Sequence, residues 1–125
     1  LKILIVEDSK FSQKVATRLF AEAFPAAELI LADNGVAGYE KFMQVHPDVI
    51  VTDLLMPQMT GQEMIRKIRI VDQNILIFPL TADVQQSTKA ELAEFNITAL
   101  INKPLNQEKL VLVEKIVGEK LHDAK

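Results

Sequence analysis

The stretch Asp48-Val49-Ile50-Val51-Thr52-Asp53 decides how this chain is read. Val49 to Thr52 are all β-branched, which favours extended backbone. The run is apolar toward both faces, as in a parallel strand covered on each side. A strand is therefore expected at Asp48–Thr52, and Asp53 is the first acidic group beyond it.

Four similar runs flank it. Strands are expected at Lys2–Val6, Glu28–Leu31, Ile75–Leu80 and Ala99–Ile101. Longer segments with helical periodicity separate them. Phe11, Val15, Leu19 and Ala23 recur every four residues and give one apolar stripe, with Ser9 as N-cap and Pro25 closing the helix. Asn34-Gly35 opens a second helix carrying Tyr39, Phe42 and Met43, and His46-Pro47 ends it. Gly38 lies inside that helix at a cost of ~1 kcal/mol against Ala. Gly61 starts a third helix, with Met64, Ile65 and Ile68 inward. Residues 84–95 and 106–121 give the fourth and fifth, the last with Leu110, Val113, Ile116 and Val117 on one side. Pro79 stands inside the fourth strand. It cannot donate to a ladder, so it belongs at an edge or a bulge, or the strand is one or two residues shorter. Fivefold strand–helix alternation predicts an α/β fold, a parallel sheet with helices on both faces.

The bulk properties agree. The 125 residues suit one domain spanning 1–125 with a real core. Residues are 49% apolar and 25% charged, a globular balance. A net charge of −3 gives no basic excess for direct binding of nucleic acid. With no cysteine, disulfides and thiolate metal sites are excluded, which fits a reducing, cytoplasmic setting. No apolar run reaches the roughly 18–20 residues that span a bilayer, so no membrane role is expected.

In an open parallel sheet, ligands bind beyond the carboxyl ends of the strands. The first strand ends in Glu7-Asp8, the third in Asp53, the fourth in Thr81 and the fifth in Asn102-Lys103-Pro104. Clustered carboxylates repel one another unless a cation neutralises them, and Mg²⁺ prefers such oxygen ligands. A transferring phosphoryl group spreads charge over its oxygens, which a metal, an ammonium and a hydroxyl stabilise. Asp53 would be the nucleophile, giving an acyl phosphate. Glu7 and Asp8 would hold Mg²⁺, Lys103 would pair with one phosphoryl oxygen and Thr81 with another. Taken singly, these residues read as caps, turns and a solvated lysine. That reading needs independent coincidences at four strand ends.

The segments Ile5-Val6-Glu7-Asp8-Ser9, Ala32-Asp33-Asn34-Gly35, His46-Pro47-Asp48, Val51-Thr52-Asp53-Leu54-Leu55-Met56-Pro57 with Gly61, Leu80-Thr81-Ala82 and Asn102-Lys103-Pro104 resemble, in order and spacing, the receiver domain of two-component response regulators. The resemblance implies a CheY-like, flavodoxin-like (βα)5 three-layer sandwich with strand order 2-1-3-4-5. It implies phosphotransfer to Asp53 with Mg²⁺ from a histidine kinase or a histidine phosphotransfer protein. It implies metal ligation by Asp8 and Asp53, by Glu7 mostly through water, and by the Leu55 backbone carbonyl. Thr81 and Lys103 would read the phosphorylated state. The surface of the fourth helix, fifth strand and fifth helix would then act on a downstream protein or output domain, and the fourth-helix face leaves room for a homodimer. A cis Lys103-Pro104 bond is common in such proteins.

The chain departs from the family pattern in four places, the last a pair of residues. Leu100 stands where an aromatic residue is frequent, Asn96 where glycine is frequent after the fourth helix, and Pro79 is unusual. Leu55 and Asp83 follow Asp53 and Thr81 by two residues, and an altered dephosphorylation rate is expected from them. Two other classes are weighed. A phosphate-independent docking module would ordinarily have lost the aspartate or the lysine. An enzyme on a similar sheet fits worse: a haloacid dehalogenase-type phosphatase needs an aspartate at position 55, and Glu7-Asp8 would repel a flavin phosphate. The chain thus reads as a signalling switch rather than an enzyme, free-standing or part of a longer protein.

Overall fold

Val49, Ile50 and Val51 have no exposed surface, and the strand they form lies at the centre of the sheet. The structure is a computed structural model that describes residues 1–82 and 86–123. Asp83 lies outside the described residues. Five strands, β1 (Lys2–Val6), β2 (Glu28–Ala32), β3 (Val49–Asp53), β4 (Leu76–Thr81) and β5 (Ile101–Asn102), alternate with five helices. These are α1 (Lys10–Ala23), α2 (Gly35–Val45), α3 (Gly61–Val71), α4 (Gln86–Ala93) and α5 (Gln107–Asp123). The sheet is parallel, in the order β2-β1-β3-β4-β5 expected from the resemblance.

Alternate strand residues feed two cores. Ile3, Ile5, Val49, Val51 and Phe78 meet Ala16, Leu19 and Phe20 of α1 and Leu110, Val113 and Val117 of α5. Leu4, Val6, Ile50 and Ile77 meet Phe42 of α2, Met64, Ile65 and Ile68 of α3 and Leu92 of α4. Each Val, Leu, Ile, Phe or Met among them contributes about 1.5–3 kcal/mol by leaving water. No helix among the described residues is long and apolar enough to cross a membrane.

Local signals act as expected at most helix ends. Ser9 caps α1 by accepting from the Ser12 N–H at 3.3 Å, and Asn34 caps α2 by accepting from Ala37 at 2.8 Å. Asn96 follows α4 with φ 53°, the left-handed geometry that asparagine tolerates. Gly38 has a packing reason. A Cβ there would come within 2.7 Å of Met64 Sδ and 2.9 Å of Val6 Cγ2, so the glycine lets α2 sit close on β1 and α3.

Three expectations are corrected. Phe11 is 78% exposed and does not belong to the buried stripe of α1. The stripe runs through Gln13, Ala16, Leu19 and Phe20, mixing steps of three and four as a 3.6-residue period requires. Met43 of α2 is likewise exposed. The fourth strand is not shortened by Pro79 but continues to Thr81, and it is β5 that gives way. Ile77 and Thr81 are four residues apart, whereas the residues whose N–H groups reach their carbonyls, Thr98 and Lys103, are five apart. The chain opposite Pro79 therefore carries one extra residue, a bulge at Ala99–Leu100 where proline offers no donor. Below the bulge, Thr98 Oγ1 accepts from the Ile77 N–H at 3.0 Å.

Candidate functional site

β1 and β3 are neighbours, so their ends bring Glu7-Asp8 and Asp53 together. One carboxylate oxygen from each of Glu7, Asp8 and Asp53 lies within 4.8 Å of the others. Among the described residues this is the one such cluster of metal-ligating side chains. Glu7 and Asp53 are buried, while Asp8 is exposed. A hard cation entering from the Asp8 side would find an all-oxygen donor set and keep waters on its open face.

Asp53 is held at both oxygens. Oδ1 accepts from the Leu54 N–H at 2.8 Å, and Oδ2 lies 3.3 Å from Lys103 Nζ. The Lys103 ammonium also reaches Glu7 Oε2 at 3.2 Å. The other Glu7 oxygen accepts from the Ser9 N–H at 3.2 Å. Burial and then the charge of Asp53 push the Glu7 carboxyl above its ordinary value, against the pull of Ser9 and Lys103. For Lys103, burial acts downward, but Asp53 and Glu7 outweigh it and raise the ammonium above its ordinary value. The site is thus short of positive charge: two buried carboxylates share one lysine, and Asp8 adds a third negative group.

Thr81 is buried at the end of β4, and its carbonyl accepts from the Lys103 N–H at 2.9 Å. The Lys103-Pro104 bond is cis. Lys109 of α5 secures this loop, its ammonium donating to the carbonyls of Asn102 and of Pro104, the latter at 2.7 Å. Leu55 lies on the β3–α3 loop with its side chain 76% exposed, so a ligand from that position would be backbone. Gly61 closes the loop. Its N–H donates to the Leu54 carbonyl at 3.0 Å, and a Cβ on it would strike the Asp53 carbonyl and lie 2.8 Å from Leu54 Cα.

Two contributors escape a reading of strand ends. Gln13 of α1 is buried and donates to the Glu7 carbonyl and to Asp33 Oδ1. Lys10 bonds the same Asp33 Oδ1 at 2.8 Å, and the bonds from Lys10 and Gln13 hold its carboxyl below the ordinary value. The mixed three-and-four spacing of α1 would have found Gln13 in the buried stripe. Away from the strand ends, Arg69 of α3 donates to the carbonyls of Phe95 at 2.8 Å, Asn96 at 2.8 Å and Asp72 at 3.2 Å, tying the turn after α4 to α3. On the far side of that turn, Leu100 lines a groove of about 580 Å³ with Lys89, Leu92, Ala93 and Ile97.

A family model described as "Response regulator receiver domain" matches residues 3–114. The hybrid signal transduction histidine kinase D of Dictyostelium discoideum is 34% identical over 87% of this chain, which spans 7% of that kinase. The chemotaxis protein CheY of Thermotoga maritima is 30% identical over 88% of this chain and 91% of its own length. Among solved structures, the chemotaxis protein CheY4 of Vibrio cholerae superposes with a TM-score of 0.84 at 28% identity, covering 93% of this chain and 97% of that one.

Proposed function

The chain belongs to the response regulator receiver family of two-component signalling, and from that premise we propose that Asp53 accepts a phosphoryl group with Mg²⁺ held by Glu7, Asp8, Asp53 and the Leu55 carbonyl. The observation that carries this reading is the cluster of three carboxylates with Lys103 at 3.3 Å from the acceptor. The donor is a histidine kinase or a histidine phosphotransfer protein. An Asp53 carboxylate oxygen attacks phosphorus, the P–N bond of phosphohistidine breaks, and the leaving imidazole takes up a proton. When bound, Mg²⁺ supplies Lewis-acid neutralisation of the phosphoryl oxygens.

The chain's own groups do the rest. The Leu54 N–H fixes one oxygen of Asp53, so its partner faces the incoming group in one orientation. Lys103 leaves the carboxylate for a phosphoryl oxygen, where its charge is needed once the carboxylate has become an ester-like group. Thr81, on the same edge, supplies a hydroxyl to another phosphoryl oxygen. Its movement would carry the signal to α4, β5 and α5, biasing a two-state surface toward a downstream protein or output domain. Leu55 and Asp83, two residues after Asp53 and Thr81, would set how fast water reaches the acyl phosphate. In this reading the domain is a cytoplasmic switch and turns over only its own phosphoryl group.

Acetyl phosphate with Mg²⁺ should add one phosphoryl group per chain, detected as an added mass, and Asp53→Asn should abolish it. Absence of Mg²⁺-dependent labelling from both acetyl phosphate and a cognate kinase would refute the assignment.

A further inference from the structure

The amide of Gln13 is a buried polar group that phosphotransfer leaves without a task. Only 8% of the residue is exposed. Its nitrogen has two hydrogens, and each has a separate acceptor: the Glu7 carbonyl at 3.3 Å and Asp33 Oδ1 at 3.1 Å. Both neighbours can only accept, so the amide can face them in one way alone. Lys10 bonds that same Asp33 oxygen at 2.8 Å in an exposed ion pair. Glu7 stands just past the end of β1, where the sheet stops supplying partners. Its N–H still reaches the Ala32 carbonyl at 3.0 Å, and among the described residues its own carbonyl accepts from Gln13.

That peptide group joins Glu7 to Asp8. The two carboxylates repel each other and Asp53, and the repulsion acts to twist the joint between them. We propose that Gln13 is a positioning residue of the metal centre, holding the Glu7–Asp8 peptide so that both carboxylates face the cation. The inference rests on the Mg²⁺ site proposed above. Gln13 does not touch the ion. It lowers the cost of assembling the ligands, and groups behind metal ligands commonly alter affinity by about 10- to 100-fold.

The test is Gln13→Met, which keeps the length of the side chain and removes its donors. Binding is measured on metal-free protein without a phosphodonor, by Mn²⁺ electron paramagnetic resonance with Mg²⁺ in competition. The dissociation constant should rise at least about tenfold. Urea unfolding in EDTA checks that the variant is folded. At saturating Mg²⁺, labelling by acetyl phosphate should return to the unsubstituted rate, a split that general damage to the fold would not produce. Equal Mg²⁺ affinity in a folded variant would overturn the inference and leave the phosphotransfer reading intact. Failure of the unsubstituted chain to bind Mg²⁺ saturably would overturn both. If Gln13→Met does not fold, the unsubstituted protein decides by NMR. The Gln13 side-chain amide protons should shift on Mg²⁺ titration with the midpoint of the Asp8 backbone amide, and protons that stay unmoved would overturn the inference.

Discussion

Lys103 reaches across β4 to place its ammonium 3.3 Å from Asp53 Oδ2, although the two residues end strands that are not neighbours. The contact is only partly exposed and is shared with Glu7. Lys103→Met should therefore lower the rate of labelling by acetyl phosphate about 100-fold at saturating Mg²⁺, the scale of losing one charged stabiliser of a transition state. Lys103→Arg should recover little, because a planar guanidinium does not replace a compact ammonium between two carboxylates.

Glu7 gives the protein a pH dependence of definite sign. Its carboxyl is raised above 4.5 in the folded chain, so the folded state holds that proton more tightly than the unfolded state. The stability this provides is present below the unfolded value and is lost as pH rises through the folded one. In EDTA, the melting temperature of the unsubstituted chain should fall relative to Glu7→Gln as pH rises from 4.5 into that window. Mg²⁺ should reverse the difference. Parallel pH profiles for the two proteins would contradict this account.

Two helical glycines should respond in opposite directions to the same substitution. Gly61→Ala drives a methyl group into the Asp53 carbonyl and Leu54 Cα, which are backbone and cannot rotate away. It should cost about 1–3 kcal/mol in urea unfolding, as overpacking does, and reduce labelling of Asp53 as well. Gly118 on α5 has nothing within 4 Å of a built Cβ. Gly118→Ala should stabilise by up to about 1 kcal/mol through helix propensity and leave labelling unchanged.

Arg69 closes the Phe95 and Asn96 carbonyls after α4 and the Asp72 carbonyl at the end of α3. Arg69→Met keeps much of the aliphatic stem and removes every donor. It should destabilise the fold by about 1–3 kcal/mol. Hydrogen exchange should rise first in α4 and the turn at Phe95–Asn96, while the amides of β1 and β3 keep their protection. Uniform loss of protection would show that the clamp is not local.

The parts of this protein that sequence reveals are those where one physical effect dominates. Val49–Thr52 can hardly be anything but a buried strand, and polar residues just past such strands must lie on one edge of the sheet. Glu7, Asp8, Asp53, Thr81 and Lys103 were legible for that reason. Phe11 was misleading because a strict four-residue spacing drifts around a helix, and the fourfold series that contains Leu19 slides off the buried face by Phe11. Gln13 was missed because a glutamine in a helix is normally solvated, and nothing in its neighbours along the chain announces the Glu7 carbonyl. The start of β5 was misplaced because Pro79 acts on the partner strand. Residues 99 and 100 look extended, but the donor they need is absent from β4.

The proline gap gives the site two unequal jaws. Asp53 is mounted on the central strand, hydrogen-bonded along its length to β1 and β3's other neighbour β4. Lys103 is mounted on an outer strand whose ladder is two residues long. Asp53 thus ends a strand with long ladders on both sides, and Lys103 stands beside the shortest one. Under the proposed phosphotransfer, the change of charge on Asp53 is expected to be taken up on the Lys103 side, beside the strand with the shorter ladder.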